Sequence, residues 1–137
     1  MSNLAERENE IIEIFEWIDD DTDRYVQIMD LGKKLAPFPE TDKIESHEVK
    51  GCQSKVWLTH RIENGKIYFE ADSNTAITKG IVAILVYLWS DLSPVEVENA
   101  DLEVLDKIKL RKYLTSQRSN GLTAMILKIK NLASLYK

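Results

Sequence analysis

The stretch VWLTHRIENGKIYFEADSNTAITKGIVAILVYLW, Val56 to Trp89, decides the architecture. Val56, Leu58, His60 and Ile62 alternate with Lys55, Trp57, Thr59 and Arg61, the two-residue period of a strand with one face on a core. Asn64-Gly65 follows, a pair that tolerates positive φ at both central positions of a tight hairpin. Ile67, Tyr68 and Phe69 return as a second strand. Then the period changes. The run IVAILVYLW is apolar nearly all round, which predicts a buried central helix lying on the sheet, capped by Asp72 or Ser73.

Working outward, KIESHEV (Lys43–Val49) is expected to pair as a third, outer strand, completing a small antiparallel meander solvated on one face. Pro37 and Pro39 precede it and end whatever helix comes before, since each fixes φ and lacks an N–H donor. Two helices open the chain. Leu4, Ile11, Ile12, Ile14, Phe15 and Ile18 follow helical spacing, and Asp19 to Asp23 offer N-caps for a second helix carrying Tyr25, Ile28, Met29 and Leu35. On the C-terminal side, Ser93-Pro94-Val95-Glu96 is a capping box with proline at the first helical position. A short amphipathic piece covers Asp101 to Ile108. A last helix after Ser116 stripes Leu122, Met125, Ile126, Ile129, Leu132 and Ala133. The fold class is α+β, with residues 1–137 read as a single domain.

Composition narrows the function. One cysteine in 137 residues forbids an internal disulfide and fits a reducing, cytoplasmic compartment. Glu6, Arg7, Glu8 and Glu10 stand where a signal peptide would need an apolar core. The longest apolar run, Ile81 to Trp89, is far shorter than a membrane helix, so no membrane partner is expected. Net charge is −5 but uneven: residues 1–50 hold 14 acids against 6 bases, and residues 51–137 hold 9 against 12. An acidic whole-protein field without aromatics among the C-terminal bases disfavours nucleic acid.

Cys52, in VKGCQSKVWL, is the residue that asks for chemistry. Cysteine is commonly buried as a small hydrophobe, but Lys50, Gln53, Ser54 and Lys55 are polar and Gly51 permits a tight turn. Zinc wants four ligands; the soft donors here are Cys52, His47 and His60, so no metal site is expected. A small Cys–His hydrolase or thiol transferase would need His47 or His60 within hydrogen-bond reach of the sulfur. A packing role for the thiol also stays open. In SQRSNG, Arg118 sits near a helix start, where a cation opposes the dipole, a local conflict that hints at a partner or anion.

Four blocks in order, GCQSKVW (Gly51–Trp57), ADSNTAITKGIVAIL (Ala71–Leu85), LSPVEV (Leu92–Val97) and LTSQRSNGLTAMI (Leu114–Ile126), resemble the SufE family. That resemblance implies a fold shared with IscU-type scaffolds, with three antiparallel strands flanked by helices. It further implies a sulfur acceptor, not itself an enzyme, that receives persulfide sulfur on Cys52 from a SufS-type cysteine desulfurase. The acceptor would stimulate the desulfurase and pass the sulfur to a downstream acceptor for iron–sulfur cluster assembly. Pyridoxal phosphate would belong to the desulfurase, leaving this chain without a cofactor. The partner surface would comprise Gly51, Gln53, Ser54, Asp72, Ser73, Lys79 and Arg118. Gln117 replaces the family serine before the arginine. A scaffold needs several cysteines on iron, so a single one fits a carrier. Lys50, Lys55 or Arg118, if close, would lower the thiol pKa.

Overall fold

Residues 3–137 are described in a computed structural model. Strands β1 (Val56–Glu63) and β2 (Lys66–Ser73) pair antiparallel in the register Val56↔Ser73 through Glu63↔Lys66. Asn64 and Gly65, at φ of 53° and 77°, make the two-residue turn that matches strand twist. Val56, Leu58, Ile67, Phe69 and Ala71 point into the core. The inward face ends early on β1: His60 is half-buried and Ile62 is 40% exposed, while Ile67, opposite Ile62 on β2, is fully buried.

The expected third strand does not form. Glu45–His47 is a 3-10 turn, and only Glu48 bridges Trp57. The reason is local. His47 Nδ1 is satisfied by the Asp42 carbonyl at 2.8 Å and the Lys43 ammonium is drawn to Glu40, so the polar run ESH folds on itself instead of offering a ladder. Val49 recovers one contact, its N–H donating to the Val56 carbonyl at 2.8 Å.

Among the described residues, six α-helices surround the hairpin: α1 (Leu4–Glu16), α2 (Asp21–Gly32), α3 (Ala76–Trp89), α4 (Pro94–Asn99), α5 (Glu103–Lys107) and α6 (Ser116–Ser134). Helix α3 is the buried axis of the fold. Ile81, Ile84, Leu85, Leu88 and Trp89 are all essentially inaccessible, each such side chain contributing about 1.5–3 kcal/mol of apolar burial. Its cap differs from expectation. Thr75 is the N-cap and makes no side-chain cap bond, while Asp72 and Ser73 finish β2. Ser73 Oγ donates to the Lys55 carbonyl at 2.8 Å and accepts from the Thr75 N–H at 3.4 Å, so it holds the turn that leads into the helix. The Ser93–Glu96 capping box of α4 is present in full.

Two close approaches lock the helices. Helix α2 crosses α3 with Gly80 against the Ile28 carbonyl and Gly32 against Gly80. At the other end of α3, the buried Arg7 guanidinium donates to the carbonyls of Leu88, Ser90 and Asp91 and pairs with the Asp91 carboxylate. Helix α6 is fastened differently, by Lys130 Nζ donating to the carbonyls of Val97, Glu98 and Ala100 at the end of α4. No helix among the described residues is long and apolar enough to cross a membrane.

Candidate functional site

Cys52 sits in a loop, residues 50–55, whose two ends are pinned. The Val49–Val56 backbone bond closes its base. At its exit, the Lys55 N–H donates to Asn74 Oδ1 at 3.1 Å, and the Lys55 carbonyl accepts from Ser73 Oγ and the Asn74 N–H. Gly51 at φ 93° makes the turn that delivers the thiol, a conformation L side chains rarely adopt. The loop then lies directly on α6. A side chain on Gly121 would start 3.4 Å from Cys52 Sγ, and one on Gly51 would start 3.3 Å from Ala124 Cβ. Small residues on α6 are therefore what let the loop come down.

The thiol is half-buried and donates toward the Gly121 carbonyl at 3.6 Å. Beside it is a small hollow walled by Ser54, Thr78, Ile81, Arg118 and Met125. Thr75 and Thr78 both donate to Ser54 Oγ, at 2.9 and 3.4 Å, fixing that wall to α3. Arg118 reaches the hollow but spends one arm on the Tyr25 hydroxyl at 2.8 Å, tying α6 to α2.

Of the residues expected to share a surface, Gly51, Gln53, Ser54 and Arg118 do gather around Cys52. Asp72, Ser73 and Lys79 are not among the lining residues and instead brace the loop from behind. Asp72 pairs with Lys43 at 3.1 Å and with Lys79 at 3.3 Å. Burial pushes the Asp72 carboxyl up, but the Ser73 N–H and both ammonium groups outweigh it and hold it below the usual range. Ile81 and Met125 carry no signal as site residues in the sequence, whereas Thr78 lies within the Asp72–Lys79 segment expected on the partner surface and Gly121 within SQRSNG.

Neither lysine of the loop activates the sulfur. Lys50 pairs with Glu45 and Lys55 with Glu48, and burial pushes the Cys52 thiol above its ordinary value. Neither histidine supplies a base: His47 is held by Asp42, and His60 Nε2 is hydrogen-bonded to the Tyr136 hydroxyl at 2.9 Å. Because a thiol alkylates as its thiolate, the rate with iodoacetamide should keep rising with pH beyond about 8.5, the midpoint of a free cysteine. A midpoint below that value in the isolated protein would contradict this geometry.

A model of the SufE Fe-S metabolism associated domain matches residues 9–133. The chain belongs to the SufE family. It is 38% identical over 130 residues to an uncharacterised SufE-like protein of Rhizobium meliloti, covering 91% of this chain and 93% of the relative. The likeness to an uncharacterised SufE-like protein of Rhizobium etli is 39% over 132 residues, covering 93% and 89%. A SufE-like protein of Synechocystis matches at 36% over 119 residues, 87% of this chain and 72% of the relative. The solution structure of a hypothetical protein from Thermus thermophilus shares the fold, with a TM-score of 0.76 at 19% identity and 95% coverage of both chains. Membership of SufE places this protein in iron–sulfur metabolism.

Proposed function

We propose that this SufE-family protein is a sulfur carrier that accepts one sulfur on Cys52 from the persulfide of a SufS-type cysteine desulfurase. The Cys52 thiolate attacks the terminal sulfur of the donor persulfide. The donor's S–S bond breaks, its electron pair leaves as the donor cysteine thiolate, and Cys52 is left as a persulfide. No net oxidation occurs, and the proton lost from Cys52 balances the one the donor thiolate regains. The desulfurase, relieved of its sulfur, turns over faster, and the carrier hands its cargo to a downstream acceptor in cluster assembly.

The observation that carries this reading is the single thiol facing a hollow of about 10 Å³ of free volume. That is close to the smallest space that holds one water-sized body. It suits one added sulfur atom, and the thiol also borders a wider, open hollow lined by Gly51, Gln53, Gln117 and Asn120 from which a donor can approach. A thiol kept protonated by burial is also a poor target for oxidants until a partner draws the loop outward about Gly51.

Intact-protein mass spectrometry tests the reading. After incubation with a SufS-type desulfurase and L-cysteine, the wild type should gain one sulfur, released by dithiothreitol, and Cys52→Ser should gain none. An unmodified wild type, alongside a desulfurase whose turnover it does not raise, would overturn it.

A further inference from the structure

A second surface lies on the other side of α3. Ala83, Ile84 and Tyr87 floor a groove of about 340 Å³ between α1 and the end of α2, within the range of pockets that take ligands or partner side chains. On α3, Ala83 and Tyr87 project roughly opposite to Thr78 and Ile81, which wall the Cys52 hollow. The groove is thus separated from the sulfur site by the thickness of a helix.

Its α1 rim has a distinct chemistry. Glu10 lines the groove, and Glu6, Glu13 and the C-cap residue Trp17 follow it at spacings of three and four along the same side of α1. Trp17 is 84% exposed, an unusual place for the largest side chain. Nine acids lie between Glu6 and Asp23, and the one base among them, Arg7, is turned into the core. Lys34 lines the far side of the groove, so the acids are concentrated on the α1 side, and a second copy packed α1 against α1 would bring acid against acid. An anionic lipid surface meets the same repulsion.

We infer that this groove docks a protein partner through a basic amphipathic helix, whose apolar stripe fills the groove while its lysines and arginines meet the α1 acids. The mode is helix-in-groove recognition, with apolar anchors one turn apart and the flanking charge setting partner choice. Because α3 stands between the two sites, a protein held here leaves Cys52 open to another. The inference is independent of the sulfur chemistry.

The test uses the 137-residue chain with Trp57→Phe, so that Trp17 and the fully buried Trp89 are the remaining tryptophans. The probe is a synthetic amphipathic peptide with leucines on one helical stripe and lysines elsewhere, against a scrambled peptide of the same composition. Titration with the amphipathic peptide should shift Trp17 emission to shorter wavelength, with saturation at least about tenfold tighter than for the scrambled peptide. Ala83→Trp, which fills the groove from its floor, should abolish that preference while keeping the wild-type circular dichroism. Glu10→Gln with Glu13→Gln should weaken binding and flatten its salt dependence. Equal binding of both peptides, or a preference unchanged by Ala83→Trp, would reduce the surface to a nonspecific acidic face and overturn the inference. A concentration-dependent dimer in sedimentation that Trp17→Ala dissolves would overturn it too, by assigning the groove to a second copy.

Discussion

Gly80→Ala should be among the most destabilising single-methyl changes in this protein. In an exposed helix interior the same exchange stabilises by about 1 kcal/mol, because alanine is the better helix former. Here the added Cβ would lie 2.0 Å from the Ile28 carbonyl oxygen and 2.6 Å from its carbon. Both atoms are backbone, so no rotamer change relieves the clash. Helix α2 must move off α3, and the move also opens the Gly32 contact, where a Cβ would meet the Gly80 nitrogen at 2.8 Å. Overpacking of this kind costs about 1–3 kcal/mol where side chains yield, and more where they cannot. We expect about 4 kcal/mol or more, a large part of a typical 5–15 kcal/mol total, and a Tm lowered by about 10–20 °C. Gly65→Ala is the internal comparison: nothing lies within 4 Å, so only its positive φ costs, about 1–2 kcal/mol. Denaturant melts that rank the two equally would show the helix crossing to be looser than described.

Arg7→Ala should come next. The last carbonyls of any helix lack intrahelical partners, and at α3 these groups are buried under α1. Arg7 satisfies Leu88, Ser90 and Asp91 together, with the Asp91 carboxylate 3.9 Å from its other arm. Truncation strands several carbonyl acceptors and leaves the Asp91 carboxylate to Lys66, at a cost of about 3 kcal/mol. Arg7→Lys should recover only part, because an ammonium cannot reproduce the planar fork that spans three carbonyls. Full recovery by lysine, or a loss under about 1 kcal/mol for alanine, would mean that solvent reaches these carbonyls. Amide exchange at Phe69, whose N–H donates to Ser90 Oγ at 2.9 Å, should accelerate in both variants.

Much of this fold could be read from local pattern. The hairpin, the buried α3, the α4 capping box and the α6 stripe each rest on short-range signals: a turn dipeptide, a period, a cap. Where reading failed, a specific side-chain contact had won. Lys43–Val49 reads as a strand, but His47 turns back to the Asp42 carbonyl and Lys43 to the Glu40 carboxylate. Ser73 resembles a cap, but it ends β2 and its Oγ ties the Lys55 carbonyl to the Thr75 N–H one step before the helix. The candidate site divides in the same way. Gly51 and Cys52 announce themselves by residue type and order, and Arg118 by its clash with the helix dipole. Ile81 and Met125 join them only because α3 and α6 converge in space, which no spacing rule encodes. Tyr25, the partner that holds Arg118, lies 93 residues away and left no trace in the pattern.

The thiol and the wall that shelters it are made at different times. Gly121, whose bare backbone accepts from Cys52, lies 69 residues downstream. At a synthesis rate of about 5–20 residues per second, the cysteine is joined to the chain roughly 3–14 s before that wall exists. For that interval the most reactive atom of the protein is an ordinary exposed thiol, open to glutathione and peroxide. Such an order ties the quality of a newborn carrier to the redox poise of its compartment, before any sulfur has been offered to it.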